Sequence, residues 1–135
     1  MNATDSKPVK RRENGASGSG KRASDKGPPP PQVPRLAIIT PVYNDWDAFR
    51  QLASAIDTNV APLDVSATII AVDDGSVEPC PDLGPVLTDC ESVKAIEVVH
   101  LVRNMGHQKA IAIGLSHVHD DVPYDGVLVL DADGE

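Results

Sequence analysis

Acidic side chains occupy three of the last five positions, where together they could bind a cation. The segment ends in Asp-Ala-Asp-Gly-Glu, and its carboxylates belong to Asp131, Asp133 and Glu135. Alternate residues of an extended chain project to the same side, so the three carboxylates would converge. Converging carboxylates require a cation, and their hard oxygen ligands favour Mg²⁺ or Mn²⁺. A polar turn after a strand is the alternative interpretation.

Two earlier apolar segments are also followed by polar residues that could meet a ligand. Pro41, Tyr43 and Asn44 form a corner that suits a base or a ribose, or else an ordinary turn capped by Asn44. Asp73 and Asp74 end the next apolar segment. A carboxylate there can accept hydrogen bonds from a base or a ribose, or can cap a turn. Because unpartnered ionised groups are costly at the end of a buried strand, the two acids favour a functional site.

A third polar segment, residues 103–109, reads Arg-Asn-Met-Gly-His-Gln-Lys. Gly106 permits close approach of the backbone just before a predicted helix, whose free N–H groups and dipole attract phosphate. Arg103 and Lys109 are two of only five basic residues after position 33. A glycine turn flanked by solvated basic residues is the alternative interpretation.

The elements that would position these residues follow from the apolar pattern. Nearly continuous apolar runs predict strands at residues 36–40, 65–73, 95–101 and 127–130. Apolar residues at helical spacing predict helices at 44–57 and 107–119, with a short helix near 86–91. This order predicts an α/β domain with a Rossmann-like open, mainly parallel sheet and helices on both faces. Such sheets bind ligands outside the carboxyl ends of their strands.

Charge divides the chain into two parts. Residues 1–33 hold seven Lys/Arg and three acids, whereas residues 34–135 hold five basic and 17 acidic groups. Residues 1–34 are therefore expected to be a disordered basic tail rich in Pro, Gly and Ser, which solubilises the chain or contacts an anionic membrane surface. The acidity of the remainder, about −12, argues against nucleic-acid binding. Cys80 and Cys90 are expected to be free thiols in a reducing compartment.

Four segments together resemble a known family. "TPVYND", "VDDGS", "NMGHQKAIAIGL" and "VLVLDADGE" occur in the order and approximate spacing of the family 2 glycosyltransferases. The resemblance covers residues 35–135, and it is closest to the branch of dolichyl-phosphate mannose synthases and bacterial polyprenyl-phosphate glycosyltransferases. It implies the glycosyltransferase A-type fold, a nucleotide-diphospho-sugar donor, a divalent metal, and inverting transfer to a polyprenyl phosphate or saccharide acceptor.

The resemblance also implies roles for individual residues. Those near the nucleotide would be Pro41, Tyr43, Asn44, Asp73, Asn104, Gly106 and Lys109. Asp131 and Asp133, the Asp-x-Asp motif, would bind the sugar diphosphate and the metal. Glu135 stands where the branch often has Gln, and it would be a third metal ligand.

In this family the catalytic domain continues past the metal motif, into the acceptor site, the acidic general base and often membrane helices. The chain is therefore expected to be the donor-binding half, truncated after the metal motif and inactive alone, with an exposed sheet edge. The expected location is cytoplasmic, at the cytoplasmic face of a membrane in a longer protein. Two alternatives stay open: a non-catalytic fragment that only binds nucleotide sugar, and a haloacid-dehalogenase-type phosphohydrolase with Asp131 as nucleophile.

Overall fold

The computed structural model describes residues 3–10, 33–120 and 123–132, and the first of these ranges by its backbone alone. Within these ranges, five strands form one sheet in the order β1-β4-β3-β2-β5. The strands are β1 Ala3–Lys10, β2 Arg35–Val42, β3 Ser66–Asp73, β4 Val93–Leu101 and β5 Gly126–Val129. Strands β2 to β5 run parallel to one another, and β1 runs antiparallel to β4. The predicted open, mainly parallel sheet is therefore confirmed.

Strand β1 lies within the segment that the sequence predicts to be a disordered tail. It pairs with β4 from Lys10 opposite Ala95 to Ala3 opposite Leu101. An edge strand presents unpaired main-chain N–H and C=O groups, and a segment can bind them without apolar side chains of its own. Composition alone therefore did not reveal β1. Residues 11–32 of the predicted tail lie outside the described residues.

Helices cover both faces of the sheet, as predicted. Helix α1 is Trp46–Val60, a 3₁₀ turn follows at Ala61–Leu63, α2 is Gly84–Thr88 and α3 is His107–His119. The side chain of Asp45 caps α1 by accepting from the Ala48 N–H at 3.0 Å. Helices α1 and α2 pack on one face of the sheet and α3 on the other. None of the helices in the described ranges is long and apolar enough to cross a membrane.

The central strands and β5 differ in burial. Residues 37–42 of β2 are all buried, as are residues 69–73 of β3. By contrast, Val127, Leu128 and Val129 of β5 are 41–47% exposed. Strand β5 is thus less buried than the central strands, and β2 is its one partner among the described strands. The expected exposed edge is found here.

Candidate functional site

Two adjoining cavities lie at the carboxyl end of β2, and we call them together the cleft. Each has a volume of about 230 Å³, and both are lined by Pro41, Tyr43 and His107. The first is completed by Val42, Asp74, Asn104 and Gly106, and the second by Asp45, Asp131 and Ala132. The cleft thus joins the loops that follow β2, β3, β4 and β5, at the edge of the sheet where the fold predicts a ligand.

Most of the described residues that the sequence assigned to a nucleotide site come together in this cleft. Pro41 and Tyr43 lie at its centre, Asn104 and Gly106 at one end, and Asp131 at the other. The Tyr43 residue is 51% exposed, so its ring can accept a stacked base or sugar.

Asp74 joins the loops after β3 and β4. It is 4% exposed. Its carboxylate accepts from the Met105 N–H at 2.7 Å and from the Gly106 N–H at 3.2 Å. Its main-chain carbonyl accepts from the Asn104 side chain at 3.2 Å, and its own N–H donates to Val42. These bonds position one end of the cleft, which Asp74 itself lines.

Gly75 is required by the close approach of the same two loops. Its φ is +75°, and a Cβ added to it would lie 2.3 Å from the Asn104 nitrogen and 2.4 Å from the Arg103 carbonyl carbon. Those atoms belong to the backbone, so no side-chain rotation relieves the contact. Only glycine fits without moving the β4–α3 loop.

Asp73 points to the face of the sheet on which α1 packs, and it is not among the residues that line the cleft. Its Oδ1 accepts from the Ser76 N–H at 3.0 Å, and its Oδ2 lies 2.9 Å from Nδ1 of His100. Both oxygens therefore bond within the protein. The contact with base or ribose that the sequence assigned to Asp73 stays a prediction, and Asp74 is the acid that the structure brings to the cleft.

Asp73 also acts on a neighbouring thiol. Burial is the larger cause that raises the pKa of Cys80 above its ordinary 9.0, the charge of Asp73 raises it further, and Arg50 lowers it. Cys80 and Cys90 are not joined in a disulfide, as the sequence predicts.

Asn44 links the corner after β2 to the loop after β3. Its N–H donates to the Ser76 hydroxyl at 2.8 Å, and its side-chain oxygen accepts from the Val77 and Glu78 N–H groups at 2.7 and 3.1 Å. Its φ is +61°, a conformation that Asn tolerates better than most residues. Asn44 thus supports the corner, while the helix cap is Asp45.

Lys109 lies away from the cleft. With Arg103 it lines a separate groove of about 670 Å³ between β4 and α3, whose other walls include Val99 and Ile113. Lys109 is two residues after His107 on the same helix, so the two side chains point about 200° apart. The role near the nucleotide that the sequence assigned to Lys109 stays a prediction.

His107 is a cleft residue that the sequence reasoning missed. It is the first residue of α3, and its Nε2 lies 3.1 Å from Oδ1 of Asp131. The two side chains are 56% and 46% exposed. Two sequence features could have pointed to His107: it follows Gly106 at the start of a helix, and it can pair with an acid.

The structure describes one of the three residues of the predicted metal site. Asp131 lies at the cleft, whereas Asp133 and Glu135 lie outside the described residues. In the described part of the chain no group of three or more His, Cys, Asp or Glu side chains could hold a metal ion. One or two protein carboxylates suffice for Mg²⁺ when phosphate oxygens and waters complete its shell. A half-exposed Asp131 therefore fits as one ligand of such a site.

The fold and the cleft define a class of protein: a Rossmann-like α/β domain with a polar cleft outside the carboxyl ends of parallel strands. Residues 37–135 match the family model described as glycosyl transferase family 2. The chain belongs to this family.

Relatives agree with this assignment. The chain is 34% identical over 105 residues to the undecaprenyl-phosphate 4-deoxy-4-formamido-L-arabinose transferase of Klebsiella pneumoniae (strain 342). The matched region covers 76% of this chain and 30% of the relative. It is 33% identical over 106 residues to the enzyme of the same name from Sodalis glossinidius, covering 77% and 30%. It is 31% identical over 99 residues to an uncharacterized glycosyltransferase of Synechocystis sp., covering 73% and 29%. The chain spans about 30% of the length of these relatives.

Proposed function

We propose that the chain is the donor-binding part of a glycosyltransferase, in which the cleft binds a nucleotide-diphospho-sugar together with Mg²⁺ or Mn²⁺. One observation carries the proposal. The two cavities adjoin at Pro41, Tyr43 and His107, with Asn104 and Gly106 at one end and Asp131 at the other. A ligand that has a flat polar ring and a diphosphate can contact both ends at once.

The nucleoside would lie at the end near Asp74. Tyr43 offers an exposed ring for stacking, and Asn104, which bonds to the Asp74 carbonyl, offers a polar group for a base or ribose edge. Gly106 has φ +98°, and no atom would lie within 4 Å of an added Cβ. A phosphate can therefore approach the backbone there, next to the positive end of the α3 dipole.

The diphosphate would reach from Gly106 toward the other end of the cleft, where the metal would lie beside Asp131. The domain carries 17 acids and five basic residues after position 33, so a bound cation would provide positive charge that side chains do not. Asp131 would hold this cation, and we assign Asp133 and Glu135 as its further protein ligands. When bound, the metal stabilises the charge that develops on the leaving diphosphate.

The acceptor part of the proposal comes from the relatives, which are named for undecaprenyl phosphate. We propose a polyprenyl phosphate as acceptor. One of its oxygens would form a bond to the anomeric carbon of the sugar, the bond to the nucleoside diphosphate would break, and the configuration would invert. In the described residues the cleft serves to bind and orient the donor, so transfer is to be assayed in a full-length protein.

Titration calorimetry tests the donor site directly. UDP, GDP and dTDP are titrated into the 135-residue chain with and without Mn²⁺. We expect one of them to bind in a Mn²⁺-dependent way, and Asp131→Asn to weaken that binding about tenfold or more, since losing an interaction between charged groups costs roughly 1.5–3 kcal/mol. Asp89→Asn is the control, because Asp89 is exposed at the end of α2. The proposal fails if no nucleotide binds under either condition.

A further inference from the structure

We infer that His107 is a positioning residue for Asp131, holding the carboxylate so that one oxygen remains directed to a cation in the cleft. The inference rests on the proposed donor site and adds a residue that neither the motifs nor the relatives assign.

His107 connects two elements that meet at the cleft. It begins α3, and Asp131 follows the last residue of β5 by two positions. The Nε2 of His107 lies 3.1 Å from Oδ1 of Asp131, and both side chains line the cavity that also contains Tyr43. An ionised carboxylate can only accept, so an N–H at Nε2 is the matching group.

The backbone around Asp131 is fixed, but its side chain has little packing. The Leu130 N–H donates to the Ile39 carbonyl at 2.9 Å, and Ala132 is buried in the core on the α1 face. The Asp131 side chain is nevertheless 46% exposed, beyond an edge strand whose own side chains are exposed. The direction of the carboxylate therefore depends on polar contacts, and His107 provides one.

A carboxylate that ligates a metal is commonly held by a second polar group, and removing that group typically weakens metal binding about 10–100-fold. The contact through Oδ1 leaves Oδ2 of Asp131 available as a metal ligand. Glutamine can replace histidine in this role, because its side-chain amide places an N–H donor at a comparable distance from the backbone.

Binding of Mn²⁺ alone to the 135-residue chain, followed by the electron paramagnetic resonance of free Mn²⁺, tests the inference without an activity assay. We expect His107→Ala to weaken Mn²⁺ binding about 10–100-fold, and His107→Gln to restore it close to wild type. His119→Ala is the matched control, because His119 is exposed at the opposite end of α3. Thermal melting of each variant verifies that it is folded.

The outcomes separate this inference from the proposed function. If Asp131→Asn binds Mn²⁺ as wild type does, both the metal part of the proposed function and the role of His107 are overturned. If Asp131→Asn loses Mn²⁺ while His107→Ala retains it, only the role of His107 is overturned. If His107→Gln binds as poorly as His107→Ala, an N–H contact is not what His107 supplies, and the positioning role is rejected.

Discussion

The carboxyl ends of β3 and β5 both place aspartates at or beside the cleft, yet the structure holds them in opposite ways. Asp73 and Asp74 are 7% and 4% exposed, and each uses both carboxylate oxygens within the protein. The Asp131 side chain is 46% exposed and contacts His107 through one oxygen. Acids of the same type at the same edge of one sheet therefore have different surroundings.

This difference separates a scaffold from a ligand site. A buried carboxylate is costly unless it is hydrogen-bonded, and one that is fully bonded within the protein stabilises the loops that it joins. A half-exposed carboxylate with an oxygen to spare adds little to folding and can bind a cation. We therefore expect changes at the end of β3 to act first on stability, and changes at Asp131 to act first on binding.

The largest effect is expected at Gly75, where the loops after β3 and β4 approach most closely. Gly106→Ala meets open space, so it should cost about 1–3 kcal/mol of unfolding free energy through backbone strain alone. In Gly75→Ala the added Cβ also overlaps backbone atoms of Arg103 and Asn104. This variant should therefore lose clearly more unfolding free energy than Gly106→Ala. Urea denaturation followed by circular dichroism measures both variants. Equal losses of unfolding free energy in the two variants would show that the β4–α3 loop moves to make room for the Cβ. The loops after β3 and β4 would then not form a rigid scaffold.

The next largest effect is expected when an aspartate is replaced by asparagine at each end of the cleft in turn. Asp74→Asn replaces an acceptor of the Met105 and Gly106 N–H groups by an NH₂ group, so we expect a loss of about 1–3 kcal/mol. Asp131→Asn should change the unfolding free energy by less than about 0.5 kcal/mol, because its side chain is half exposed. The same denaturation measurement checks both values. If Asp131→Asn destabilised the chain as much as Asp74→Asn, the contrast between scaffold and ligand site would be wrong.

The sequence predicted the sheet and helices well because apolar periodicity reflects burial directly. The predicted helix at 107–119 coincides with α3, and all four predicted strands are present. The cleft was predicted from a topological rule: parallel strands end at one edge of the sheet. Strand β1 was not predicted, since its pairing uses main-chain groups that leave no pattern in the side chains.

Details of the site depended on tertiary geometry that the pattern does not contain. Asp73 and Asp74 are adjacent in an extended segment and point to opposite faces, but the sequence does not say which of them faces the cleft. Lys109 shares a helix with His107, and the rotation of α3 directs only His107 to the cleft. The contact between His107 and Asp131 joins residues that are distant along the chain.

The smallest effect is expected on the pKa of the Cys80 thiol, which responds to the charge of Asp73. Burial and Asp73 both raise the pKa of this thiol above 9.0, and Arg50 lowers it. The neutral thiol is therefore favoured in the folded chain. Its contribution to stability is fully present below pH 9.0, the pKa of the thiol in the unfolded chain, and is lost as the pH rises through the raised value.

Alkylation of Cys80 by iodoacetamide, followed by mass spectrometry across a pH series, measures this pKa, because the thiolate is the reactive form. We expect the midpoint to lie above 9.0 in wild type and to fall in Asp73→Asn, where the charge is removed but the burial remains. Arg50→Gln should shift it upward, and Asp131→Asn should leave it unchanged. If Asp131→Asn moved the midpoint as much as Asp73→Asn, the carboxylate at the end of β5 would influence the thiol as strongly as the one at the end of β3. The separation of a bonded scaffold from an open ligand site would then not describe this domain.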